Sequence, residues 1–367
     1  MKRVIIAPDS FKGTLSALEV CETVGNEIKK KYPDTKIIPI PVADGGEGTV
    51  EAFLCAMGGE KLCCRAHSPL GREIECFYAL LADGTAVIEM AAASGITLER
   101  EKNALKSSSY GTGEIILDAL ERGVRRFIIG IGGSATTDGG TGMLCALGAR
   151  LYNKKGEELY PGGESLIHIE KIDVSALDRR LAECEITVLC DVKNSLYGEN
   201  GAAYVFSPQK GADEKAVRLL DEGLRNFARV SEALLGKNYA FCEGAGAAGG
   251  LGFGLVAYLH AKLVRGTEFI LDVTDFRKKA GQADLIITGE GAMDDQSLMG
   301  KVPFTVAKES GGTRVVAVVG ICKTDRALAA EKGIAEIIET NPRHLPFEEI
   351  RLCAKQMLIE ACKDIII

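Results

Sequence analysis

The sequence is poor in histidine, with four among 367 residues. They stand at positions 67, 168, 260 and 344, without the close spacing that zinc ligands show. The sequence therefore argues against a structural zinc site. Twelve cysteines are present, but no two have the Cys-x-x-Cys spacing, and most lie in apolar surroundings, where free cysteine behaves as a small hydrophobic residue. We therefore expect a reducing compartment and no disulfide framework.

The chain also lacks a basic tract and a long uninterrupted apolar run. Its formal net charge of −7 argues against nucleic acid as the main partner. Glycines break the longest weakly charged stretch, residues 244–261, so we expect no membrane-spanning helix. Residues 1–9 lead directly into a predicted strand and leave no room for a signal peptide, which favours a cytoplasmic protein. A hydrophobic content of 46% fits a globular fold, and 367 residues suggest two domains.

Familiar nucleotide-binding motifs are absent or poor. No Gly-x-x-x-x-Gly-Lys-Ser/Thr run occurs, because Gly300-Lys301 precedes valine and lacks the upstream glycine. Residues 244–249 match Gly-x-Gly-x-x-Gly but follow a weak strand, with no well-placed acid after them. Residues 130–135 match the related Gly-x-Gly-x-x-Ala pattern, with an Asp-Gly-Gly run before the helix. These two runs leave a nicotinamide-dependent oxidoreductase acting on a small hydroxy acid as an alternative function.

Glycine, in contrast, is abundant, with 43 residues, and it concentrates between predicted strands and helices. Residues 127–131 form an apolar run that predicts a buried strand, and Gly132-Gly133-Ser134 follows, then Asp138. Such a turn brings backbone N–H groups close to an anion, so this segment and residues 244–250, with Gly244 and Gly246, predict phosphate- or carboxylate-binding loops. The alternative is a set of tight turns that need glycine for positive φ.

Acidic side chains follow several predicted strands. The strand at 3–7 precedes Asp9, Ser10 and Lys12, and the strand at 36–40 precedes Asp44-Gly45-Gly46-Glu47. Asp-Gly-Gly-x-Gly occurs at 44–48 and again at 138–142. Open parallel sheets bind ligands at the carboxyl ends of their strands, so we expect these acids to lie near phosphate or metal.

Two further strand ends extend this set. The strand at 186–190 precedes Asp191, and an aspartate there with Asn194 suits Mg²⁺, which prefers oxygen ligands. The strand at 283–287 precedes Gly289 and Glu290, with Asp295 and Lys301 farther along.

The strand pattern predicts an α/β protein with two domains. Strands at 3–7, 36–40, 284–288, 314–319 and 335–339 suffice for a flavodoxin-like parallel α/β/α sheet built from both chain ends. Between them, residues 61–90 contain alternating segments around Asp83-Gly84, which is a hairpin signal. We therefore predict a discontinuous domain at 1–62 and 270–367, an inserted mixed α/β domain at 63–269, and an active site in the cleft between them.

Many acids, a few lysines and no suitably placed histidine favour phosphoryl transfer over acyl or hydride chemistry. That reaction needs a carboxylate-held metal, donors for the transferring group and one base. Lys12 and Lys301 are expected to neutralise charge on phosphates or on the substrate carboxylate. One of Asp44, Asp138 and Asp191 is expected to accept a hydroxyl proton and another to hold Mg²⁺; Asp191 is the first choice as metal ligand, alone or with Asp44 or Asp138.

Six motifs in order resemble the bacterial type 1 glycerate kinase family over essentially the whole chain. They are Ala7-Pro8-Asp9-Ser10-Phe11-Lys12-Gly13, residues 43–49, residues 109–114, residues 131–136 with 138–140, Pro208-Gln209-Lys210-Gly211-Ala212, and residues 288–291 with Asp295-Gln296 and Gly300-Lys301. Thr137 departs from the family pattern, where asparagine is expected, and this could alter a hydrogen bond.

The resemblance implies ATP-dependent phosphorylation of D-glycerate, associated with 2-phosphoglycerate as product. It also implies a flavodoxin-like domain and a second domain that resembles a restriction-endonuclease core. Expected catalytic residues are Lys12, Asp44, Asp138, Asp191 and Glu290. Expected binding residues are Asp9, Ser10, Gly45, Gly46, Glu47, Gly132, Gly133, Ser134, Gly244, Gly246, Gly289, Asp295 and Lys301. The predicted cofactors are ATP and Mg²⁺, and the predicted state is a monomer or homodimer.

Two other classes stay open on the residues alone. The nicotinamide-dependent oxidoreductase rests on the two glycine runs described above. A non-catalytic small-molecule sensor with a flavodoxin-like core is the third reading, and the density of acids at strand ends argues against it.

Overall fold

A computed structural model describes residues 1–294 and 297–367. Its strands in these ranges are β1 (Arg3–Pro8), β2 (Lys36–Pro39), β3 (Gly59–His67), β4 (Glu73–Leu81), β5 (Thr85–Glu89), β6 (Arg126–Gly130), β7 (Arg150–Tyr152), β8 (Lys171–Asp173), β9 (Glu185–Leu189), β10 (Lys262–Val264), β11 (Leu285–Met293), β12 (Val315–Cys322) and β13 (Glu336–Glu339).

The α-helices of the described ranges are α1 (Ala17–Lys31), α2 (Thr49–Met57), α3 (Ala91–Ser94), α4 (Tyr110–Glu121), α5 (Thr141–Ala146), α6 (Ala202–Phe206), α7 (Glu214–Leu235), α8 (Ala247–Leu259), α9 (Gly266–Val273), α10 (Phe276–Ala280), α11 (Val302–Lys308), α12 (Arg326–Glu331) and α13 (Phe347–Ala361). Short 3₁₀ helices span Gly163–His168, Arg179–Glu183, Pro208–Lys210, Ser297–Met299 and Cys362–Asp364. None of the helices in the described part of the chain has the length and apolar character needed to cross a membrane.

The chain divides into two compact units. The terminal unit comprises Met1–Asp44, Glu51–Gly58 and Gly266–Ile367. The central unit comprises Gly45–Val50 and Gly59–Arg265. The sequence pattern placed the boundaries after residue 62 and before residue 270. The structure assigns Gly45–Val50 and residues 59–62 of the predicted flanking domain to the central unit, and residues 266–269 of the predicted inserted domain to the terminal unit.

The terminal unit contains a parallel sheet with the strand order β2-β1-β11-β12-β13. Numbered within the unit, this order is 2-1-3-4-5, which is the flavodoxin-like arrangement. The strands lie within a few residues of the ranges predicted from sequence. The prediction of a flavodoxin-like sheet made from both chain ends is confirmed.

Burial explains why the central strands of this sheet are uniformly apolar. Residues 4–7 of β1 are fully buried, as expected for a parallel strand with both faces covered. On one face, Val24 of α1 and Leu358 of α13 belong to the same apolar cluster as Val4. Helix α1 starts with a capping box, in which the Ser16 hydroxyl accepts from the Glu19 N–H and the Glu19 carboxylate accepts from the Ser16 N–H.

The central unit contains a mixed sheet with the order β3-β4-β5-β6-β9-β10. The β3–β4 and β4–β5 pairs are antiparallel, and the pairs from β5 to β10 are parallel. Gly84, at φ +83°, forms the predicted turn between β4 and β5. Because β5, β6 and β9 run in parallel register, Glu89, Gly130 and Leu189 end at one edge of the sheet. The prediction of a second, mixed α/β unit is confirmed.

Candidate active site

In the terminal unit, two adjacent strands bring buried acids together. Pro8 of β1 pairs with Gly289 of β11, and the Asp9 N–H donates to the Gly289 carbonyl at 2.8 Å. Asp9 therefore follows β1 beside Glu290, and both are only 5% exposed. The sequence predicted both acids at the carboxyl ends of parallel strands, which meet at one edge of a sheet. In the structure β11 continues to Met293, so Glu290 lies within this strand rather than after it.

A lysine and a third acid lie close to this pair. Lys12 Nζ contacts Asp44 Oδ2 at 3.2 Å, with the Lys12 side chain 63% exposed. The Asp44 charge raises the pKa of Lys12, so this lysine stays cationic at neutral pH. Asp44 lies in the segment that follows β2, and β2 is the neighbour of β1 in the sheet. The terminal unit thus places a stable positive charge beside its group of carboxylates.

Both buried acids resist ionisation. Burial raises the pKa of Asp9 to about 8, and the charges of Asp44 and Glu290 add to the effect while Lys12 opposes it. The Asp9 carboxylate also accepts from the Ser10 N–H at 2.7 Å. Burial likewise raises the pKa of Glu290. Carboxyl groups with raised pKa values, facing a cleft and near a cation, are typical of catalytic sites.

Two polar atoms of this cluster have no hydrogen-bond partner among the described residues. They are Ser10 Oγ and Glu290 Oε1, and both residues are at least nine-tenths buried. Buried polar atoms in folded proteins almost always have a partner. Such orphaned atoms therefore indicate a position that a ligand or water completes.

A cavity of about 340 Å³ opens beside these atoms. Its polar lining residues are Asp9, Ser10, Lys12, Thr14, Glu290, Asp294, Lys301, Thr340 and Asn341. Its apolar lining includes Phe11, Ile321, Phe347, Ile350 and Ala354. Lys301 Nζ lies 3.5 Å from Asp294 Oδ1, which gives the cavity a second cation. Asp295, another predicted binding residue, lies outside the described residues.

Close packing of the backbone requires glycine at some of the positions predicted to bind ligand. A Cβ at Gly289 would lie 2.0 Å from the Val318 carbonyl oxygen of β12, so only glycine fits there. In the central unit, a Cβ at Gly45 would lie 2.7 Å from the Leu189 carbonyl oxygen. A Cβ at Gly132 would lie 2.7 Å from Gly46 Cα. These glycines allow close approach of two backbones, whether or not they also bind ligand.

Backbone groups in and next to the predicted phosphate loop at 132–134 are hydrogen-bonded to other parts of the central unit. The Gly132 N–H donates to the Gly45 carbonyl at 2.9 Å, and the Ala135 N–H donates to the Ser94 carbonyl at 2.9 Å. The Gly133 carbonyl accepts from the Ile96 N–H at 2.9 Å. The amides of Gly132 and Ala135 are thus already engaged, which weakens the prediction of an anion cradle here.

The second predicted loop, at 244–250, is also held by internal bonds. The Gly246 N–H donates to the Asn194 carbonyl at 2.9 Å, and a Cβ at this glycine would lie 2.1 Å from the Ser195 carbonyl oxygen. Gly244 has φ +85°, a conformation that favours glycine. The alternative from sequence, a need for positive φ, therefore accounts for Gly244, whereas close packing accounts for Gly246.

Asp138 was expected to act as base or metal ligand, and the structure places it differently. The side chain is fully buried, and its carboxylate accepts four hydrogen bonds: from the Ser109 N–H and hydroxyl and from the Gly140 and Gly142 N–H groups, at 2.7 to 3.2 Å. Burial raises its pKa, and these bonds lower it. A carboxylate so engaged fixes the glycine turn after β6. The expected contact with substrate finds no support in this geometry.

The remaining predicted acids of the central unit, Glu47 and Asp191, are exposed. Asp191 lies two residues after the end of β9, as expected from sequence. Among residues 1–294 and 297–367, no group of three or more His, Cys, Asp and Glu side chains is arranged to hold a metal ion.

Lys210 is a residue that the sequence motif contained but that we did not single out. It is 2% exposed, and its Nζ donates to Ser134 Oγ at 2.8 Å and to the Thr136 carbonyl at 2.6 Å. Burial lowers its pKa to about 7, although the Asp138 charge opposes this. Lys210 thus fixes the loop that follows β6. A lysine between helix-forming residues and a glycine carries no sequence mark of burial.

Replacing Lys210 by methionine should change how stability depends on pH. Between about pH 7 and 10.5 the unfolded chain binds a proton at this lysine that the folded protein does not, so this group makes the wild type more stable as pH rises. We expect the stability advantage of the wild type over Lys210→Met to grow by about 2 kcal/mol from pH 7 to pH 9. Urea unfolding at both pH values measures this, and an unchanged difference would contradict it. Lys278→Met, at an exposed lysine, is the control.

Comparison with known proteins agrees with this arrangement. The model of the glycerate kinase family matches residues 4–367. The glycerate kinase of Halalkalibacterium halodurans is 43% identical over 370 residues, covering 100% of this chain and 97% of the relative. That of Bacillus subtilis is 44% identical, covering 99% and 96%. The glycerate 2-kinase of Escherichia coli K12 is 44% identical, covering 90% and 88%.

A solved structure extends the similarity to three dimensions. The crystal structure described as glycerate kinase 2 from Salmonella typhimurium LT2 has a TM-score of 0.84 and 40% identity, covering 99% of this chain and 96% of that one. The sequence similarity spans both chain ends and the inserted segment. It includes the strand ends that line the terminal-unit cavity. The protein is therefore a kinase that belongs to the glycerate kinase family.

Proposed function

We propose that this protein transfers the γ-phosphoryl group of ATP to D-glycerate and forms 2-phosphoglycerate. The observation that carries the proposal is the terminal-unit cavity, where buried carboxyl groups with raised pKa values lie beside lysines and two polar atoms lack partners. The names of the relatives supply the substrate class, and the glycerate 2-kinase among them supports the 2-phospho product. The cytoplasmic location and the monomer or homodimer state stay predictions.

Asp9 is the proposed base for the glycerate hydroxyl. A general base works best when its pKa lies near the working pH, and Asp9, with a pKa of about 8, is closer to that condition than an ordinary aspartate. Its partner Lys12, held cationic by Asp44, offsets negative charge as the acceptor oxygen approaches the phosphoryl group. Lys301, which immediately precedes α11 and also lines the cavity, is placed to do the same.

Mg²⁺ remains part of the proposal. Magnesium in kinases is usually held by one or two carboxylates together with nucleotide phosphates and waters, so a cluster of three acidic side chains is not required. The exposed Asp191, after β9, fits such a role. When bound, the ion would neutralise phosphate charge. Asp44 is the second predicted ligand, whereas the engaged carboxylate of Asp138 does not fit.

Replacing Asp191 by asparagine should abolish turnover with little effect on folding. The side chain is exposed, so its loss should change the free energy of unfolding by less than about 0.5 kcal/mol. The loss of a metal ligand should in contrast lower activity about 100-fold or more. Steady-state kinetics over a Mg²⁺ series and thermal unfolding measure the two effects. Glu199→Gln, at an exposed acid of the same unit, should behave as wild type. Near-normal rates in Asp191→Asn would remove it from the mechanism.

The function is tested by ADP release from ATP and Mg²⁺ with D-glycerate. L-glycerate and the absence of substrate are the controls. Phosphorus NMR of the product then distinguishes phosphate on O2 from phosphate on O3 through the coupling to the adjacent protons. ADP release that does not depend on glycerate, from folded protein, would overturn the proposal.

A further inference from the structure

The lining of the terminal-unit cavity is of two chemical kinds. The carboxylates and lysines described above form its charged part. Its apolar part includes Ile321 of β12 and Phe347, Ile350 and Ala354 of α13. Glycerate is a three-carbon acid whose carbons carry a carboxylate or hydroxyls, so it has almost no apolar surface to bury. The apolar part therefore needs another explanation.

The size of the cavity leads to the same question. About 340 Å³ lies in the range of pockets that hold drug-sized ligands and exceeds what a three-carbon acid requires. Such pockets are typically apolar with a few polar groups that fix orientation. ATP has this division within one molecule, because its base is a flat apolar ring and its phosphates are anionic.

Phe347 is well placed to contact a flat ring. It is the first residue of α13, lines the cavity and is 51% exposed, which is unusual for phenylalanine. Its ring is held against Gly13, where a Cβ would lie 2.8 Å from Phe347 Cζ. Gly13 has φ +79°, a conformation that favours glycine, so this position carries no side chain that would displace the Phe347 ring.

Charge indicates which lining residues would contact the phosphates. Lys12 and Lys301 are the two cations among the described residues that line the cavity. Asn341 does not offer its amide to a base, since the side chain accepts from the Leu345 N–H and donates to the Leu345 carbonyl.

We propose that the apolar lining of the terminal-unit cavity binds the adenine of ATP, with the ring of Phe347 against its face, and that Lys12 and Lys301 bind the phosphates. This inference rests on the proposed function, which names ATP as the phosphoryl donor. It adds the location of the nucleotide and the residue that recognises its base by stacking rather than by hydrogen bonds.

The test compares ADP with inorganic tripolyphosphate by calorimetric titration of the full-length protein. ADP carries the base, and tripolyphosphate carries only the phosphates. In Phe347→Leu, which keeps apolar volume but removes the ring face, we expect the Kd for ADP to rise about fivefold and that for tripolyphosphate to stay unchanged. Phe347→Tyr should restore the affinity for ADP. Leu352→Ala, 90% exposed on the same helix, should match wild type.

Each other outcome is decisive. Unchanged ADP affinity in Phe347→Leu, or an equal loss for both ligands, would overturn the adenine site. A central-unit cavity lined by Tyr110 and Tyr160 provides the rival location, so a loss of ADP affinity in Tyr160→Leu with none in Phe347→Leu would also overturn it.

If wild type turns over glycerate while Phe347→Leu binds ADP normally, only this inference fails. If wild type neither binds ADP nor releases it in the glycerate assay, the proposed function fails as well.

Discussion

Replacing Asp9 by asparagine should make the protein more stable and leave it nearly inactive. Loss of a general base typically lowers the rate 100-fold or more, about the effect expected on kcat here. Asparagine keeps an oxygen in place to accept from the Ser10 N–H, a bond of 2.7 Å in the wild type. It also removes a carboxyl group that burial and two neighbouring acids disfavour in its charged form.

The gain in stability should depend on pH. Because the pKa of Asp9 is about 8 in the folded protein and the ordinary pKa of an aspartate is 3.8, the folded protein keeps a proton that the unfolded chain has released between these pH values. The contribution of Asp9 to the stability of the wild type is therefore fully present below about pH 4. It is lost as the pH rises to 8, by up to about 1.4 kcal/mol per pH unit. The Asp9→Asn variant does not lose this stability. Its free energy of unfolding should therefore exceed that of the wild type by at least about 2 kcal/mol at pH 8.

Urea unfolding at pH 5 and pH 8, together with kcat for D-glycerate, measures both effects. Asp34→Asn, at an exposed aspartate of the same unit, should leave both unchanged. An inactive Asp9→Asn variant that is less stable than wild type at pH 8 would indicate a structural carboxylate rather than a base. An active variant would exclude Asp9 from proton transfer.

Gly246→Ala should destabilise the central unit by about 3 kcal/mol or more, whatever its effect on nucleotide binding. The added Cβ would lie 2.1 Å from the Ser195 carbonyl oxygen, and backbone atoms cannot move aside cheaply. Backbone strain is not the cause, since Gly246 has φ −79°. Gly281→Ala is the matched control, because this glycine has φ −64° and a Cβ there would lie 3.8 Å from the Arg277 carbonyl oxygen, which is ordinary van der Waals contact.

This pair separates the two explanations of the glycine run. If the run is needed for packing, Gly246→Ala lowers the unfolding midpoint strongly, while Gly281→Ala leaves it the same or raises it slightly. If the run instead gives room for phosphates, Gly246→Ala folds normally and loses affinity for tripolyphosphate. Thermal unfolding and calorimetric titration of both variants distinguish these results.

The architecture could be predicted because strands and their ends have local signatures. The uninterrupted apolar residues of β1 and β11 identify buried parallel strands, and the residues after them fall at one edge of the sheet by geometry alone. Asp9, Lys12, Asp44 and Glu290 were predicted at this edge in this way, although β11 continues past Glu290 to Met293. Thr340, which follows β13 and lines the cavity, could have been found by the same rule.

The glycine runs could not be assigned to ligand binding from sequence, because glycine at a turn has several possible causes. Whether Gly132 faces a phosphate or Gly46 depends on a contact between residues more than 80 positions apart, which no local pattern shows. The same limit explains Asp138 and Lys210. Each is an ordinary charged residue in sequence. Only the fold shows that the Ser109 hydroxyl donates to the Asp138 carboxylate and that Lys210 Nζ donates to Ser134 Oγ.

The pairing of β1 with β11 has a consequence for synthesis on the ribosome. Val4 pairs with Leu285, so the first strand waits for a partner made 281 residues later (285 − 4). At roughly 5–20 residues per second, that delay is about 15–55 s. During it, β1 and β2 emerge as an apolar pair with an open edge, while much of the central unit is already available to fold. Nascent chains of this protein should therefore need protection from aggregation early rather than late in translation.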